Sequence, residues 1–164
     1  LQRWRARGLA RQAAMHPVER DDFFIREARP QDISRVLELA ALIPGKITPD
    51  ADLPRAAIQR AREDASLTVF VAATNDTQVI GFVALSRVPT LTSILGWVDA
   101  MVVDPGFRRI GVGAALLEAA LRHADTLHMS EVFVNTARAS EIARAFYQSG
   151  GFQEGFVSRL RLRG

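Results

Sequence analysis

The feature that most constrains this chain is a 28-residue stretch, residues 97–124. Its apolar run Val98–Val103 favours a β-strand, and the Asp-Pro-Gly sequence at 104–106 ends that run. A short loop with two arginines and two glycines follows at 108–113, and helix-forming residues continue over 114–124. The stretch therefore predicts a strand, a glycine-bearing loop and a helix in direct succession.

This succession of elements is typical of an anion-binding site. The first amides of a helix have no acceptor within the helix, and the helix dipole favours negative charge there. Glycines let a ligand approach the backbone, and the guanidinium groups of Arg108 and Arg109 suit phosphate geometry. The loop is not a Walker loop, because no Gly-Lys-Ser/Thr follows, nor a dinucleotide fingerprint, because position 116 is Leu. Taken alone, it is equally compatible with a tight helix start packed on a strand.

Three motifs along the chain have an order and spacing that match a known family. The first is Val-Val-Asp-Pro at 102–105 followed by Arg-x-x-Gly-x-Gly at 108–113. The second is Ser-x-x-Ala-x-x-x-Tyr-x-x-x-Gly-Phe at 140–152, and the third begins with Ile-Arg-Glu-Ala and spans 25–32. Together they resemble the GNAT superfamily of N-acetyltransferases. The first is similar to its Arg/Gln-x-x-Gly-x-Gly/Ala acyl-CoA motif, and the second to a helix that begins with Asn in the family.

The resemblance implies an α/β fold with a mixed, mostly antiparallel sheet of six to seven strands. About four helices flank this sheet, which is splayed between its fourth and fifth strands. Hydrophobic patterning agrees, and it predicts strands over 23–28, 67–74, 78–85, 97–103 and 131–136. A last strand is expected within 152–162. So few residues remain there that a second copy of the chain could cover that edge of the sheet.

Helix signals occur over residues 32–42, 54–64, 114–124 and 140–149. Asp32 and Ser140 are expected to cap the first and the last of these helices, and the glycines at 150–151 to end the last. The apolar segment 88–96 is expected to fold over the site.

Basic residues are concentrated at the two ends of the chain. Residues 1–20 hold five arginines and one acidic residue, and residues 159–163 hold three arginines. Residues 21–158 carry 13 basic and 17 acidic side chains, which argues against a nucleic-acid partner. We therefore expect a flexible or loosely docked basic extension over 1–20, and a single N-acetyltransferase domain over 21–164.

Composition excludes several kinds of site. The chain has no cysteine, which excludes disulfides and thiolate metal sites, and its three histidines have no metal-ligand spacing. No run of 18 apolar residues occurs, and the Arg-rich start lacks the apolar centre of a secretory signal. We expect a cytoplasmic protein that has no metal and no nucleic-acid or membrane partner, and we leave open a homodimer.

Two side chains are candidates for proton transfer. Asp99 is a carboxylate within an apolar strand, and period-two alternation places Trp97, Met101 and Val103 on its face. The resemblance implies that Asp99 either takes the proton of the attacking amine or anchors the acceptor. It also implies that the Met101 amide stabilises the developing oxyanion and that Tyr147 protonates the leaving thiolate. For Tyr147, a core aromatic on a buried helix face is the alternative.

The resemblance further implies acetyl-CoA as the cosubstrate. The residues expected to bind it are Met101, Val102, Val103, Arg108, Arg109, Ile110, Gly111, Val112, Gly113, Ala114, Asn135, Ser140 and Tyr147. The predicted function is transfer of an acetyl group from acetyl-CoA to a primary amine of a small molecule or peptide, by direct attack in a ternary complex. The main alternative is a non-enzymatic acyl-CoA sensor on the same fold.

Overall fold

The computed structural model describes residues 2–5, 19–20, 22–43, 59, 63, 65–75, 77–135 and 141–154. Within these ranges eight β-strands form one sheet. The strands are β1 Gln2–Arg5, β2 Glu19–Arg20, β3 Phe23–Glu27, β4 Leu67–Ala73, β5 Val79–Pro89, β6 Ile94–Val103, β7 Glu131–Val134 and β8 Gln153–Glu154. The helices longer than one turn in these ranges are α1 Ile33–Ala40, α2 Val112–Thr126 and α3 Glu141–Ser149.

The sheet is mixed and mostly antiparallel. Its spatial order is β2-β3-β4-β5-β6-β7-β1-β8, and the pair β6–β7 is parallel whereas the other neighbours are antiparallel. Helix α2 makes the crossover between the two parallel strands, as a parallel connection requires. The predicted class, a mixed and mostly antiparallel sheet flanked by helices, is confirmed, although eight strands are found where six to seven are expected.

The two parallel strands pair over a short distance and then separate. Their register runs from Leu95 opposite Glu131 to Val98 opposite Val134. Strand β6 continues to Val103, and beyond Val98 its described pairing is with β5 alone. Among the described residues, no strand pairs with the β7-facing edge of β6 over residues 99–103. This separation matches the splay predicted between the strands at 97–103 and 131–136.

A hydrophobic core lies on each face of the sheet. Helix α2 packs on the first core, whose fully buried members include Leu85, Leu116 and Val132. Helix α1 packs on the second, which includes Leu39 and Val71. The central strands β4 and β5 are buried almost continuously because both of their faces are covered.

The predicted fold of segment 88–96 over the site is wrong. Strand β5 continues to Pro89 and β6 begins at Ile94, so these residues extend an antiparallel hairpin. Its tip is closed by the Thr90 amide, which donates to the Ser93 carbonyl at 2.8 Å. Pro89 is tolerated because it lies at the end of its strand, where a missing N–H costs little.

The basic extension at 1–20 contains two strands that the sequence does not predict. Residues 2–5 form β1, which lies between β7 and β8, and residues 19–20 form β2 at the opposite edge. The physical reason for β1 is that β7 and β8 would otherwise each present unpaired backbone groups to the other. The predicted helix over 54–64, apart from helical Gln59 and Glu63, and the last strand beyond residue 154 lie outside the described residues.

Candidate active site

The loop between β6 and α2 has a geometry that leaves several amides free. Arg109 and Gly111 both have left-handed backbone conformations, with φ angles of 69° and 92°. The Ala115 amide makes the first helical hydrogen bond, to the Gly111 carbonyl at 3.0 Å. The amides of residues 112–114 precede that bond and have no acceptor within the helix. The predicted strand, loop and helix are confirmed, and the helix begins two residues earlier than expected.

The side chains of this loop face solvent. Arg108, Arg109, Ile110 and Ala114 are exposed. The Arg108 Nε donates to the Val103 carbonyl at 3.2 Å, which holds one guanidinium over the end of β6. Val112 is the exception, because its side chain is buried in the core. Only its backbone amide could contact a ligand. The loop therefore presents the first amides of α2 together with two exposed arginines, as an anionic ligand requires.

A contact between Arg35 and Asp104 that the sequence does not predict secures this loop. The Asp104 carboxylate accepts a hydrogen bond from the Gly106 amide at 2.9 Å and from the Arg35 guanidinium at 2.6 Å. Arg35 lies on α1 and also donates to the Val79 carbonyl at 3.4 Å. Arg35 thereby connects α1 to the start of the loop. No local signal predicts this contact, because the two residues of the pair are 69 positions apart.

Three elements converge at Gly113. A Cβ placed on Gly113 would lie 3.5 Å from the ring of Phe146 on α3 and 3.7 Å from the Val103 side chain on β6. Met101 and Val103 pack against the first core, as does Phe146. The end of β6, the start of α2 and helix α3 therefore meet at Gly113.

Tyr147 follows Phe146 in the chain and lies on the inner face of α3. It is buried, and its ring makes edge contacts with Phe146 and Phe152 at centroid distances of 5.2 and 5.6 Å. Burial raises the pKa of its hydroxyl to about 12. Tyr147 therefore stays protonated throughout the physiological pH range and is available as a donor. The edge contacts also show that Tyr147 contributes to the core. A role in the core and a role as a proton donor are therefore compatible.

The end of α3 is formed as predicted. Gly151 has a φ of 89°, and the Phe152 amide donates to the Tyr147 carbonyl at 3.0 Å. This hydrogen-bond pattern is a glycine C-cap in which the residue after the glycine returns to the helix. The expected capping by Ser140 falls outside the described residues.

The predicted position of Asp99 on one face with Met101 and Val103 is wrong. Opposite β5, Val98 pairs with Leu85 and Ala100 pairs with Ala84, which leaves Asp99 as the extra residue of a β-bulge. Val98 and Met101 contact the first core, whereas Ala100 and Val102 belong to the second. The alternation of side chains is therefore reset at Asp99.

Asp99 instead lies with Trp97 on the face of the second core. Its carboxylate is exposed and accepts a hydrogen bond from the Ser86 hydroxyl of β5. Ser86 follows Leu85, whose side chain is in the first core, so Ser86 projects from the opposite face. The bulge places the carboxylate at the point where β6 and β7 separate.

Two predicted residues remain, Asn135 and Asp32. Asn135 is exposed directly after β7, on the other side of the splay from Asp99. Asp32 does not cap α1, since its side chain accepts from the Arg29 amide at 2.6 Å and pairs with Arg26 at 2.6 Å. Burial opposes its ionisation, but these donors hold the pKa of Asp32 below 3.8. Asp32 therefore secures the loop before α1.

The described residues contain no group of three or more His, Cys, Asp or Glu side chains arranged to hold a metal ion. None of the helices in the described ranges is both long and apolar enough to cross a membrane.

Comparison with known proteins agrees with the geometry. A model of the acetyltransferase (GNAT) family matches residues 33–152. N-acetyltransferase family 8 member 3 of Rattus norvegicus is 33% identical over 119 residues, which are 68% of this chain and 50% of that protein. The chain thus spans about half the length of this curated relative.

Solved structures show the same fold. An acetyltransferase of Trypanosoma brucei superposes with a TM-score of 0.69 at 24% identity, covering 87% of this chain and 99% of that one. A Clostridium acetobutylicum protein described as a predicted acetyltransferase, solved with acetyl-CoA, gives 0.70 at 22% identity over 86% and 96%. An aminoglycoside acetyltransferase from a soil metagenome, in complex with sisomicin, gives 0.69 at 19% identity over 88% and 98%. This chain belongs to the GNAT family of acetyltransferases.

Proposed function

We propose that this chain binds acetyl-CoA and transfers the acetyl group to a primary amine by direct attack in a ternary complex. The observation that carries the proposal is the convergence of free amides at the start of α2, an open edge of β6 and a buried tyrosine. A ligand with a diphosphate at one end, amides along its length and a thioester at the other matches these features in order.

The start of α2 would hold the diphosphate. The amides of residues 112–114 point out of the helix end, where the helix dipole favours negative charge. Arg108 and Arg109 add two positive charges beside these amides. The left-handed conformation of Arg109 supports this assignment, because a non-glycine residue at positive φ is strained and such strain is commonly retained at functional sites.

The open edge of β6 would pair with the pantetheine arm. Met101 and Val103 would exchange hydrogen bonds with its amides, as an added strand does. We assign the Met101 amide to the thioester oxygen, where negative charge develops during attack. One such donor is worth on the order of 3 kcal/mol of transition-state stabilisation.

Asp99 would receive the proton of the attacking amine, directly or through a water molecule. Primary amines have pKa values of roughly 10.4 and are mostly protonated at neutral pH, so a proton acceptor is needed. The exposed carboxylate at the end of the β6–β7 pairing is accessible to such an amine.

Tyr147 would stabilise the leaving sulfur. Its pKa of about 12 is well above the value of roughly 8.5 for an ordinary thiol, so the thiolate is the weaker base of the two. Complete transfer of the phenolic proton is thus unfavourable, and we assign Tyr147 the role of hydrogen-bond donor to the sulfur as the bond breaks.

Calorimetry with CoA tests the diphosphate site. We expect the double variant Arg108→Glu, Arg109→Glu to lose at least tenfold in affinity, because it places two negative charges beside the free amides. Arg122→Glu is the matched control, since Arg122 lies exposed on the same helix, 3.8 Å from Glu118. Equal affinities in the two variants would contradict the assignment.

Release of free thiol from acetyl-CoA with a panel of amines tests the chemistry. Turnover with at least one amine supports an enzyme. Tight CoA binding without thiol release from any amine would instead favour the acyl-CoA sensor.

A further inference from the structure

We infer that the acceptor is a monocationic amine attached to a planar or apolar body, with Asp99 binding the amine and the Trp97–Phe133 ring pair binding the body. This inference rests on the proposed function, because it describes the acceptor half of the same site.

Three side chains form a row across three adjacent strands. Ser86 on β5 lies opposite Trp97 on β6, and Trp97 lies opposite Phe133 on β7. Residues that are directly opposite share a face of the sheet, and adjacent strands are about 4.8 Å apart. The row therefore spans roughly 10 Å across the sheet on the face of the second core.

Asp99 adds a carboxylate to the first position of this row. Its hydrogen bond from Ser86 holds the carboxylate beside the direct cross-strand neighbour of Trp97. The carboxylate remains exposed, and a charged hydrogen bond between an ammonium group and a carboxylate is among the stronger contacts available there. A cationic group is the complement of this end of the row.

The other two positions of the row are aromatic. The rings of Trp97 and Phe133 are 5.6 Å apart between centroids, tilted by 34°, and both are half-buried. Their chain neighbours Val98, Val132 and Val134 are buried in the first core on the opposite face. The ring pair thus offers an apolar surface at one to two strand spacings, or about 5–10 Å, from the carboxylate.

The composition of this row favours one class of amine. The row contains one carboxylate, which pairs with one ammonium group. A polyamine bound across the two rings would leave its further ammonium groups against aromatic rings, a weaker contact than a charged hydrogen bond to a carboxylate. An arylalkylamine has one ammonium group and a ring two or three bonds away, which matches the spacing. We therefore expect arylalkylamines to be better acceptors than polyamines or short alkylamines.

Thiol release with acetyl-CoA and three amines provides the test: 2-phenylethylamine, n-butylamine and spermidine. We expect kcat/KM for 2-phenylethylamine to exceed that for each of the others by roughly tenfold, mostly through KM. Trp97→Leu and Phe133→Leu should each reduce this preference severalfold while leaving CoA affinity unchanged. Phe24→Leu is the control, because it removes a half-buried ring on β3, three strands away.

The outcomes separate this inference from the proposed function. Equal or better turnover with spermidine, or equal loss of preference in Phe24→Leu, would overturn the acceptor class and leave the enzyme intact. If no amine releases thiol, calorimetry of 2-phenylethylamine binding to the CoA complex tests whether the acceptor site exists. Ring-dependent binding there supports the acceptor site although the chemistry fails, and absence of binding overturns both. Either ring variant alone suffices if the other does not fold.

Discussion

Gly111, which precedes α2, and Gly113, which lies in its first turn, should respond to the same substitution in opposite directions. Gly111 has a φ of 92°, which an alanine adopts at a cost of about 1–2 kcal/mol. Gly113 lies within the helix, where a Cβ would meet Phe146 and Val103 at ordinary contact distances of 3.5 and 3.7 Å. Alanine at 113 is therefore expected to stabilise the fold by about 0.5–1 kcal/mol.

The expected difference between Gly111→Ala and Gly113→Ala is thus about 2 kcal/mol in the free energy of unfolding. For a domain of this size it corresponds to roughly 4–8 °C between their melting temperatures. Thermal unfolding by circular dichroism at fixed pH, with the unsubstituted chain as reference, measures the difference. Gly111→Ala should also weaken CoA binding, because the left-handed turn at Gly111 aims the amides of α2, whereas Gly113→Ala should bind CoA within about twofold of the reference.

Equal melting temperatures of the two variants would show that alanine adopts the left-handed turn at no cost, which contradicts the expected difference. A Gly111→Ala variant that loses stability but keeps full affinity for CoA would contradict the expected effect on binding. That result would separate the loop geometry from ligand binding and return the loop to a purely structural helix start.

Three further predictions concern other residues. Arg35→Gln should weaken CoA binding roughly fivefold and cost at most about 1 kcal/mol of stability, because its ion pair is partly exposed; the same change at Arg122, measured by the same calorimetry, should not alter CoA affinity. Tyr147→Phe should lower kcat at least tenfold with little change in KM for acetyl-CoA, and unsubstituted enzyme should show no loss of rate from Tyr147 below about pH 10; full turnover by the variant would remove its role. Burial lowers the pKa of His123 below 6.5, although Glu27 opposes the shift. The folded state therefore binds the proton less readily than the unfolded state. The free energy of unfolding should be at its full value above pH 6.5 and should decrease as the pH drops through the lowered pKa. Urea denaturation from pH 7.5 to 5 measures this decrease, which should be smaller in His123→Gln.

The parts of the site that the sequence predicts are those specified by neighbours along the chain. The strand, the loop and helix α2 follow one another within 30 residues, and each is marked by apolar periodicity, glycine or proline. The end of α3 is predicted for the same reason, because Gly151 in the left-handed conformation is a local requirement.

The parts that the sequence does not predict depend on partners far along the chain. The bulge at Asp99 has no local marker, since it is defined by the register of β6 against β5. The contact between Arg35 on α1 and Asp104 after β6 joins residues that are 69 positions apart. Strand β1 likewise requires the edges of β7 and β8, which are formed by the other end of the chain. None of these three contacts can be predicted from local patterns in a single sequence.

The bulge has one further consequence. Without Asp99, simple alternation along β6 would still direct Val98, Met101 and Val103 to the first core and Ala100 and Val102 to the second. The strand therefore contains one residue more than its packing requires. A chain lacking that residue should keep its hydrophobic interior and lose the carboxylate to which we assign the amine.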